Sequence, residues 1–534
     1  MSRGGSERSA LATARWIDRW LDACRDLADL SRSNPMTDAV IDEIDGRMIR
    51  IGDTWLADFA SCNYLGFDLD REIIDAVPGF LERWGTHPSW SRLLGSPVLY
   101  EQIEERLVEL LDAEDALVLP TITLIHMSVI PVLAGSGTIF LEKRAHKTIF
   151  DGCQLAEVRG ATVKRFAFED VDDLERLLQE ANPSPRLICI DGVNSMTGNT
   201  ADLEGFARVA REYEALLYVD DAHGFGVIGE RSPDETSPYG NRGNGIVRHF
   251  GESYDHVLLV GGLSKSYSSL AAFLACPPEL KNLLKTAAAP YLYSGPSPIA
   301  SLATTLVGLE VNEERGDAIR ADLWKKTATV LDCLDRLGAH TPNRSGFPIV
   351  EVPLARHEDI DAVGHFLFEN GVYVTLAAYP LVPRSEVGFR IQVTAANTSA
   401  EIEQLVDVLG RLANRFDLQP ARTKKRAACC AFAAGAGMRT SGSVTSASPA
   451  RLPRSTCSCR PSRARGLCST PSASWESLRS WPASGCTIRA PRLRGGCSSA
   501  ASSSSSAATS TPTATRTLPS RLLATRSTLP STRC

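Results

Sequence analysis

The chain has 534 residues, 57 Lys and Arg against 63 Asp and Glu, a net charge of −6 and 43% hydrophobic content, which is ample for a buried core and too long for one ordinary domain. No stretch reaches the roughly 18 uncharged apolar residues of a membrane span, and the acidic balance argues against a nucleic-acid binder built on overall positive charge. The N-terminus carries Arg3, Glu7, Arg8 and Arg15 but no apolar core of the length a secretory signal needs, so a cytoplasmic location is expected.

In chain order, residues 1–57 read as an N-terminal helical segment, because Leu11, Ala14, Trp16, Trp20, Leu21, Cys24 and Leu27 recur near helical spacing between Glu7 and Leu30. Between about Tyr100 and Val260 helices and short apolar strands alternate. Helices are predicted at Glu101–Leu111, Leu124–Leu133, Val171–Glu180 and Leu203–Tyr213, and strands at Ala116–Leu119, Thr138–Leu141, Thr162–Phe166, Leu187–Ile190, Leu216–Val219 and His256–Val260. Apolar strands separated by helices indicate a parallel sheet covered on both faces. A large α/β domain is therefore expected over residues 58–311. From Asn312 to residue 420 a smaller α/β domain is predicted, with helices at Asp317–Leu337, Ile360–Glu369 and Glu401–Leu412 and strands at Ile349–Val352, Val372–Leu376 and Gly388–Val393.

The average charge hides a break. From Ala421 onward there are 18 Lys and Arg and one acidic residue, Glu476, so residues 1–420 stand at −23 and the last 114 at +17. The tail holds eight of the 14 cysteines, no His, an unbroken Ser502–Ser506 run and no sustained hydrophobic period. Such a composition does not offset chain entropy by burial, which predicts disorder over 421–534. A solvated basic tail, an arm for nucleic acid or another acidic partner, and GC-rich DNA read out of frame are the three readings. The abrupt change after a natural-looking final helix favours the third. Cys457 and Cys459 lack the spacing of a zinc knuckle, so no metal site is assigned.

In parallel α/β sheets ligands sit at the carboxyl ends of the strands. Polar clusters follow four of them: His146 after Thr138–Leu141, Asp191 to Met196 after Leu187–Ile190, Asp220-Asp221-Ala222-His223-Gly224 after Leu216–Val219, and Gly262-Leu263-Ser264-Lys265-Ser266 after His256–Val260. Taken singly, each has an ordinary explanation: a capping Asp, a surface lysine, a loop serine. A lysine whose surroundings lower its pKa can also form a Schiff base. Four such clusters in the order His, Ser, Asp/His, Lys point to one site.

That order resembles the α-oxoamine synthases, pyridoxal-phosphate (PLP) enzymes of fold type I within the class I/II aminotransferases, which include 8-amino-7-oxononanoate synthase, glycine C-acetyltransferase and serine palmitoyltransferase. The resemblance spans roughly Asp58 to Leu412. It rests on Asn63-Tyr64-Leu65-Gly66, Asp191 to Gly198, the specific run VDDAHGFGVIG from Val219 to Gly229, Ser264-Lys265, and Phe389 to Ala396 with Arg390. It implies that Lys265 binds PLP covalently, that Asp220 pairs with the pyridine nitrogen so the ring can absorb electrons, and that His223 reaches the ring hydroxyl. It further implies His146 stacked on the ring, Ser195 near the cofactor, and Arg390 binding the amino-acid carboxylate, a task suited to a guanidinium. The activity implied is decarboxylative condensation of an amino acid with an acyl thioester, carried by CoA or a carrier protein, to an α-aminoketone, in a homodimer that shares its site.

Several family elements differ here. The Ser-Gly-aromatic turn is replaced by Pro120-Thr121-Ile122-Thr123, where a helix N-terminus can still bind phosphate. The hydroxyl residue three before the lysine is Gly262, leaving Ser264 as the substitute. The family's Tyr-Ser-Thr-Ser segment reads Tyr293-Ser294-Gly295-Pro296-Ser297, and Tyr100 stands where a His is usual. These changes fall on phosphate and substrate contacts, so a PLP aminotransferase is the alternative reading, and a non-catalytic scaffold or basic-tail nucleic-acid binder the third.

Overall fold

The computed structural model describes residues 17–421 apart from 20, 23 and 234–236. Most of the predicted Glu7–Leu30 helix and nearly all of the basic tail lie outside the described residues; within them, a helix runs over Arg25–Ser33.

Strands β1 (Glu43–Asp45), β2 (Met48–Ile51) and β3 (Thr54–Phe59) come first, so the segment expected to be helical carries an antiparallel meander. The turns at Gly46 and Gly52 both have positive φ, the conformation that glycine adopts without Cβ strain. Seven strands then build one sheet: β4 (Ala116–Leu119), β5 (Thr138–Glu142), β6 (Thr162–Phe166), β7 (Arg186–Asp191), β8 (Leu216–Asp220), β9 (Val257–Gly262) and β10 (Ala272–Ala275). Their order is β4-β10-β9-β8-β7-β5-β6. β6, β5, β7, β8 and β9 run parallel, and β10 lies antiparallel between β9 and β4. The continuous apolar runs of β4, β5 and β9 are buried along their whole length, as expected for strands covered on both faces.

Strands β11 (Ile349–Pro353), β12 (Val372–Ala377) and β13 (Gly388–Gln392) complete a second sheet, ordered β1-β2-β3-β12-β13-β11. β12 pairs parallel with β3, so the N-terminal meander extends the sheet formed by the last strands. The long helix begins at Ile299 and ends at Arg336, well before the predicted start at Asp317. Its Gly308 lies where a Cβ would come 3.1 Å from Tyr267, so the helix packs directly against the turn that carries Lys265. The closing helix Ser399–Ala413 starts at a capping box, Thr398 with Glu401.

Two glycines explain why separate sequence motifs meet. Gly66 (φ +71°) comes so close to Ala396 that a Cβ would sit 2.8 Å from its Cβ, and Ala395 N–H donates to Tyr64 O at 2.7 Å. The Asn63–Gly66 turn is thereby locked to the end of β13. Gly226 (φ +86°) abuts Ser266, whose hydroxyl donates to Phe225 O at 2.8 Å, which locks the loop after β8 to the lysine turn. No described helix is long and apolar enough to cross a membrane.

Candidate active site

The carboxyl ends of β7, β8 and β9 carry the chemistry, as parallel strands dictate. Asp191 and Asp220 are register partners at the tips of β7 and β8. Asp191 Oδ1 accepts the backbone N–H of His146 at 2.9 Å, whereas its Oδ2 is buried without a hydrogen-bond partner. Burial, together with the neighbouring Asp220, pushes the Asp191 carboxyl well above its ordinary range. Asp220 behaves in the opposite way. Burial would raise it, but the attraction and hydrogen bond of His126, with Lys265 and His146 beyond, outweigh that and lower it to about 2. Its Oδ1 accepts Ala222 N–H at 3.0 Å and its Oδ2 faces His126 Nε2 at 2.9 Å. Asp221, by contrast, is structural: fully enclosed, it accepts the Ile246 N–H at 2.9 Å and is pushed by burial to about 8.

Lys265 sits in the tight reversal between β9 and β10, closed by Ser269 N–H to Leu263 O and Leu263 N–H to Ala271 O, both 3.0 Å. Its Nζ lies 2.7 Å from His223 Nε2, and His223 Nδ1 lies 2.8 Å from the Tyr64 hydroxyl. Burial lowers the Lys265 pKa, only partly offset by Asp220. Burial, then the charges of Lys265, Arg390 and His146, hold His223 well below the usual imidazole value. A neutral His223 accepts from lysine at Nε2 and donates its Nδ1–H to Tyr64, which fixes the tautomer.

Arg390 comes from the other sheet. Its Nη1 donates to Ser195 O at 2.7 Å and its Nε to Gln392 Oε1 at 3.1 Å. The Gln392 amide in turn donates to Ala60 O at 2.7 Å and faces Cys62 Sγ at 2.8 Å. The guanidinium is thus aimed by the backbone of the Asp191–Gly198 loop, and Ser195 enters through its carbonyl. His146 caps the helix Lys147–Val158, its Nδ1 facing Thr148 Oγ1 at 2.8 Å. Its ring is reached by solvent, yet loss of hydration in the cleft, followed by the Lys265 and His126 charges, lowers its pKa against the pull of Asp220.

Thr121 caps the helix Ile122–Ala134 by accepting Leu124 N–H at 3.3 Å. Ile122 opens that helix, whose first N–H groups face outward for an anion. Ser264 is exposed, whereas Ser266 and Ser269 of the lysine turn are buried. Sequence reasoning assigned no role to His126 or Tyr218, although the structure buries both against Asp220. The available signal was a lone His in the apolar run Ile125 to Ala134, on the helix that begins at Thr121.

This donor set suits a cofactor with a protonatable ring nitrogen, a phosphate and an aldehyde. An ionised buried carboxylate, a helix N-terminus and a lysine of lowered pKa answer those three groups in turn. Residues 63–409 match the family model "Aminotransferase class I and II". The chain is 31% identical to the 8-amino-7-oxononanoate synthase of Symbiobacterium thermophilum over 379 residues, which is 70% of this chain and 91% of that one. It is also 31% identical over 368 residues to the serine palmitoyltransferase of Sphingobacterium spiritivorum, covering 68% and 87%. Serine palmitoyltransferase from S. paucimobilis, solved with a bound PLP–myriocin aldimine, shares the fold with a TM-score of 0.68 at 24% identity, over 75% of this chain and 98% of that one. The chain belongs to the class I and II aminotransferase family, in its α-oxoamine synthase branch, and is a PLP-dependent enzyme.

Proposed function

We propose that the enzyme condenses a small α-amino acid with an acyl thioester to give an α-aminoketone, carbon dioxide and a free thiol. Lys265, Asp220, His223 and Arg390 converge on one cleft between the two sheets, and that convergence carries the reading. The names of the curated relatives support acyl transfer over transamination. In the balanced reaction one carbon–carbon bond forms between the α-carbon and the acyl carbon. The thioester C–S bond breaks, the carboxylate leaves as carbon dioxide, and one proton is taken up by the released thiolate.

Bound at Lys265, PLP supplies an electron sink that makes the α-proton of the amino acid removable. Asp220, ionised, would hold the proton of the cofactor's ring nitrogen, and the first turn of the helix Ile122–Ala134, with Thr121, would receive its phosphate. His223 aims the Lys265 amine and would meet the cofactor's ring hydroxyl, while His146 would cover its ring. Once the substrate's amino group takes its place on the cofactor, the freed Lys265 amine, its pKa lowered by burial, would remove and return protons at the α-carbon. Arg390 binds the substrate carboxylate through the guanidinium edge not committed to Ser195 and Gln392. Ser264 is too exposed to serve as the main phosphate hydroxyl, a role that falls to Thr121.

A homodimer in the cytoplasm is part of the same reading. Trp90, Leu93, Leu94 and Tyr293 are large, apolar and exposed, and Leu93 N–H bonds Tyr291 O at 3.3 Å, so the two segments that carry them adjoin. Light scattering on the purified chain is expected to give twice the monomer mass. The activity test incubates the holoenzyme with small amino acids and acyl-CoA thioesters of increasing length. Thiol and carbon dioxide released in equal amounts support the reading; a keto acid formed from the amino acid with no thiol released refutes it in favour of transamination.

A further inference from the structure

His126 lies one turn inside the helix Ile122–Ala134, wholly buried, in a run that otherwise presents Ile125, Val129 and Ile130 to the core. A buried imidazole among such neighbours needs partners at both nitrogens, and it has them. Nε2 is 2.9 Å from Asp220 Oδ2 and Nδ1 is 2.9 Å from the Tyr218 hydroxyl. Tyr218 and Asp220 stand two residues apart on β8, so both project from the same face of the strand towards the helix.

The proton positions follow from chemistry. An ionised carboxylate only accepts, so Nε2 carries hydrogen. Burial keeps the Tyr218 phenol protonated, and its hydroxyl meets Nδ1 at 2.9 Å. Tyr218, His126 and ionised Asp220 therefore form one hydrogen-bonded chain. Asp191, Asp221, Lys265 and His146 also face Asp220 from the neighbouring strand end, the following loop, the lysine turn and the cleft mouth. Among these, His126 makes the side-chain hydrogen bond to the carboxylate. With Oδ1 accepting the Ala222 N–H at 3.0 Å, the two bonds together hold the rotation of the carboxyl group.

We propose that His126, held at its other nitrogen by Tyr218, is a positioning residue that keeps Asp220 ionised and oriented for the cofactor's ring nitrogen. The same helix thus receives the phosphate at its first turn and sets the ring's counter-charge from the next, coupling the two ends of one cofactor through a rigid element. This rests on the PLP reading of the site and adds to it the residue that acts on Asp220.

The test titrates the full-length apoprotein with PLP and with 1-deaza-PLP, whose ring carries C–H in place of nitrogen, and follows quenching of tryptophan fluorescence. Losing one charge-assisted hydrogen bond to a buried carboxylate predicts that His126→Ala weakens PLP by about 10- to 100-fold. It should change 1-deaza-PLP by less than about threefold, because that analogue does not use Asp220. His126→Gln, which restores an N–H of similar reach, should recover most of the PLP affinity. Tyr218→Phe should weaken PLP by a smaller factor and leave the analogue alone; it also serves where His126→Ala fails to fold by circular dichroism. Equal losses with both probes reduce His126 to packing and overturn the proposal, as does unchanged PLP binding in His126→Ala or Tyr218→Phe. If the unsubstituted chain shows no Lys265-dependent absorption band with PLP, the cofactor reading falls first and the proposal with it.

Discussion

Glu351 offers a test that needs neither cofactor nor substrate. It lies on β11 directly opposite Arg390 in the ladder, is almost fully enclosed, and its Oε1 has no hydrogen-bond partner. Burial and the nearby Glu386 push its carboxyl from 4.5 up to about 7, against the opposing pull of Arg144 and Arg390. In the unfolded chain the same group ionises near its ordinary value. Between those two values unfolding releases a proton, so stability is fully present below about pH 4.5 and is lost as the pH rises through about 7. A shift of this size corresponds to about 3 kcal/mol at 1.36 kcal/mol per pH unit. Glu351→Gln has the same shape and no charge. It should match the parent at pH 4.5 and exceed it by about 3 kcal/mol at pH 8, read by equilibrium urea unfolding of the apoprotein at both values. If the Gln variant gains nothing between pH 4.5 and 8, Glu351 is not a neutral acid in the fold and the reasoning fails.

Lys265→Ala should abolish the near-visible absorption band formed on adding PLP, leaving a spectrum that amino acids no longer perturb; a persisting band would place the covalent attachment elsewhere. Arg390→Ala should raise the KM for the amino acid by about 10- to 100-fold, the worth of a charge-assisted hydrogen bond, while the Lys265-dependent band stays in place; an unchanged KM would remove Arg390 from substrate binding. Arg92→Met should destabilise the fold by about 2–4 kcal/mol in urea unfolding, because Arg92 Nη1 bonds both Glu104 Oε1 at 2.8 Å and Val118 O at 2.7 Å and breaking a buried pair strands its partner. Lys281, 3.0 Å from the other Glu104 oxygen, keeps the loss below that of an isolated pair. A loss under 1 kcal/mol would show that Lys281 alone suffices.

The parallel sheet was legible because β4, β5, β7, β8 and β9 are short apolar runs with helices between them, and burial on both faces leaves no other composition. β10 was not, since Ala272-Phe273-Leu274-Ala275 follows Lys265 too closely to be told from a loop; only pairing with both β9 and β4 makes it a strand. The N-terminal meander was hidden by charge. Glu43-Ile44-Asp45 and Met48-Ile49-Arg50-Ile51 carry ionic side chains at the outer end of the sheet, and what places them is the parallel pairing of their neighbour β3 with β12, more than 300 residues away. The long helix was placed from Asp317 only, whereas it begins at Ile299 and runs through Gly308 and Gly316, packing glycines against Tyr267 and Arg320. Lys265, Asp220, His223 and Arg390 could be found because they sit in motifs. His126 could not, because nothing in a sequence says which core histidine meets a carboxylate.

The two sheets divide the labour of the site. Lys265, Asp220 and His223 ride on the seven-stranded sheet and carry the proposed proton chemistry, whereas Arg390, the proposed carboxylate binder, rides on β13. The spacing between proton transfer and carboxylate binding is therefore a property of the contacts joining the sheets, not of either alone. Those contacts are directional and include the Tyr64 hydroxyl with His223 Nδ1, Arg390 to Ser195 O, Thr200 N–H to Ser345 Oγ at 3.1 Å, and Arg344 N–H to Asn199 Oδ1 at 2.7 Å. Tyr64 belongs to both sets, since its carbonyl holds the end of β13 and its hydroxyl fixes the His223 tautomer beside Lys265. A change at Tyr64 thus reaches substrate binding through one atom and lysine basicity through another. That double tie is the physical reason the Asn63–Gly66 turn is part of the active site although its backbone touches no reacting group.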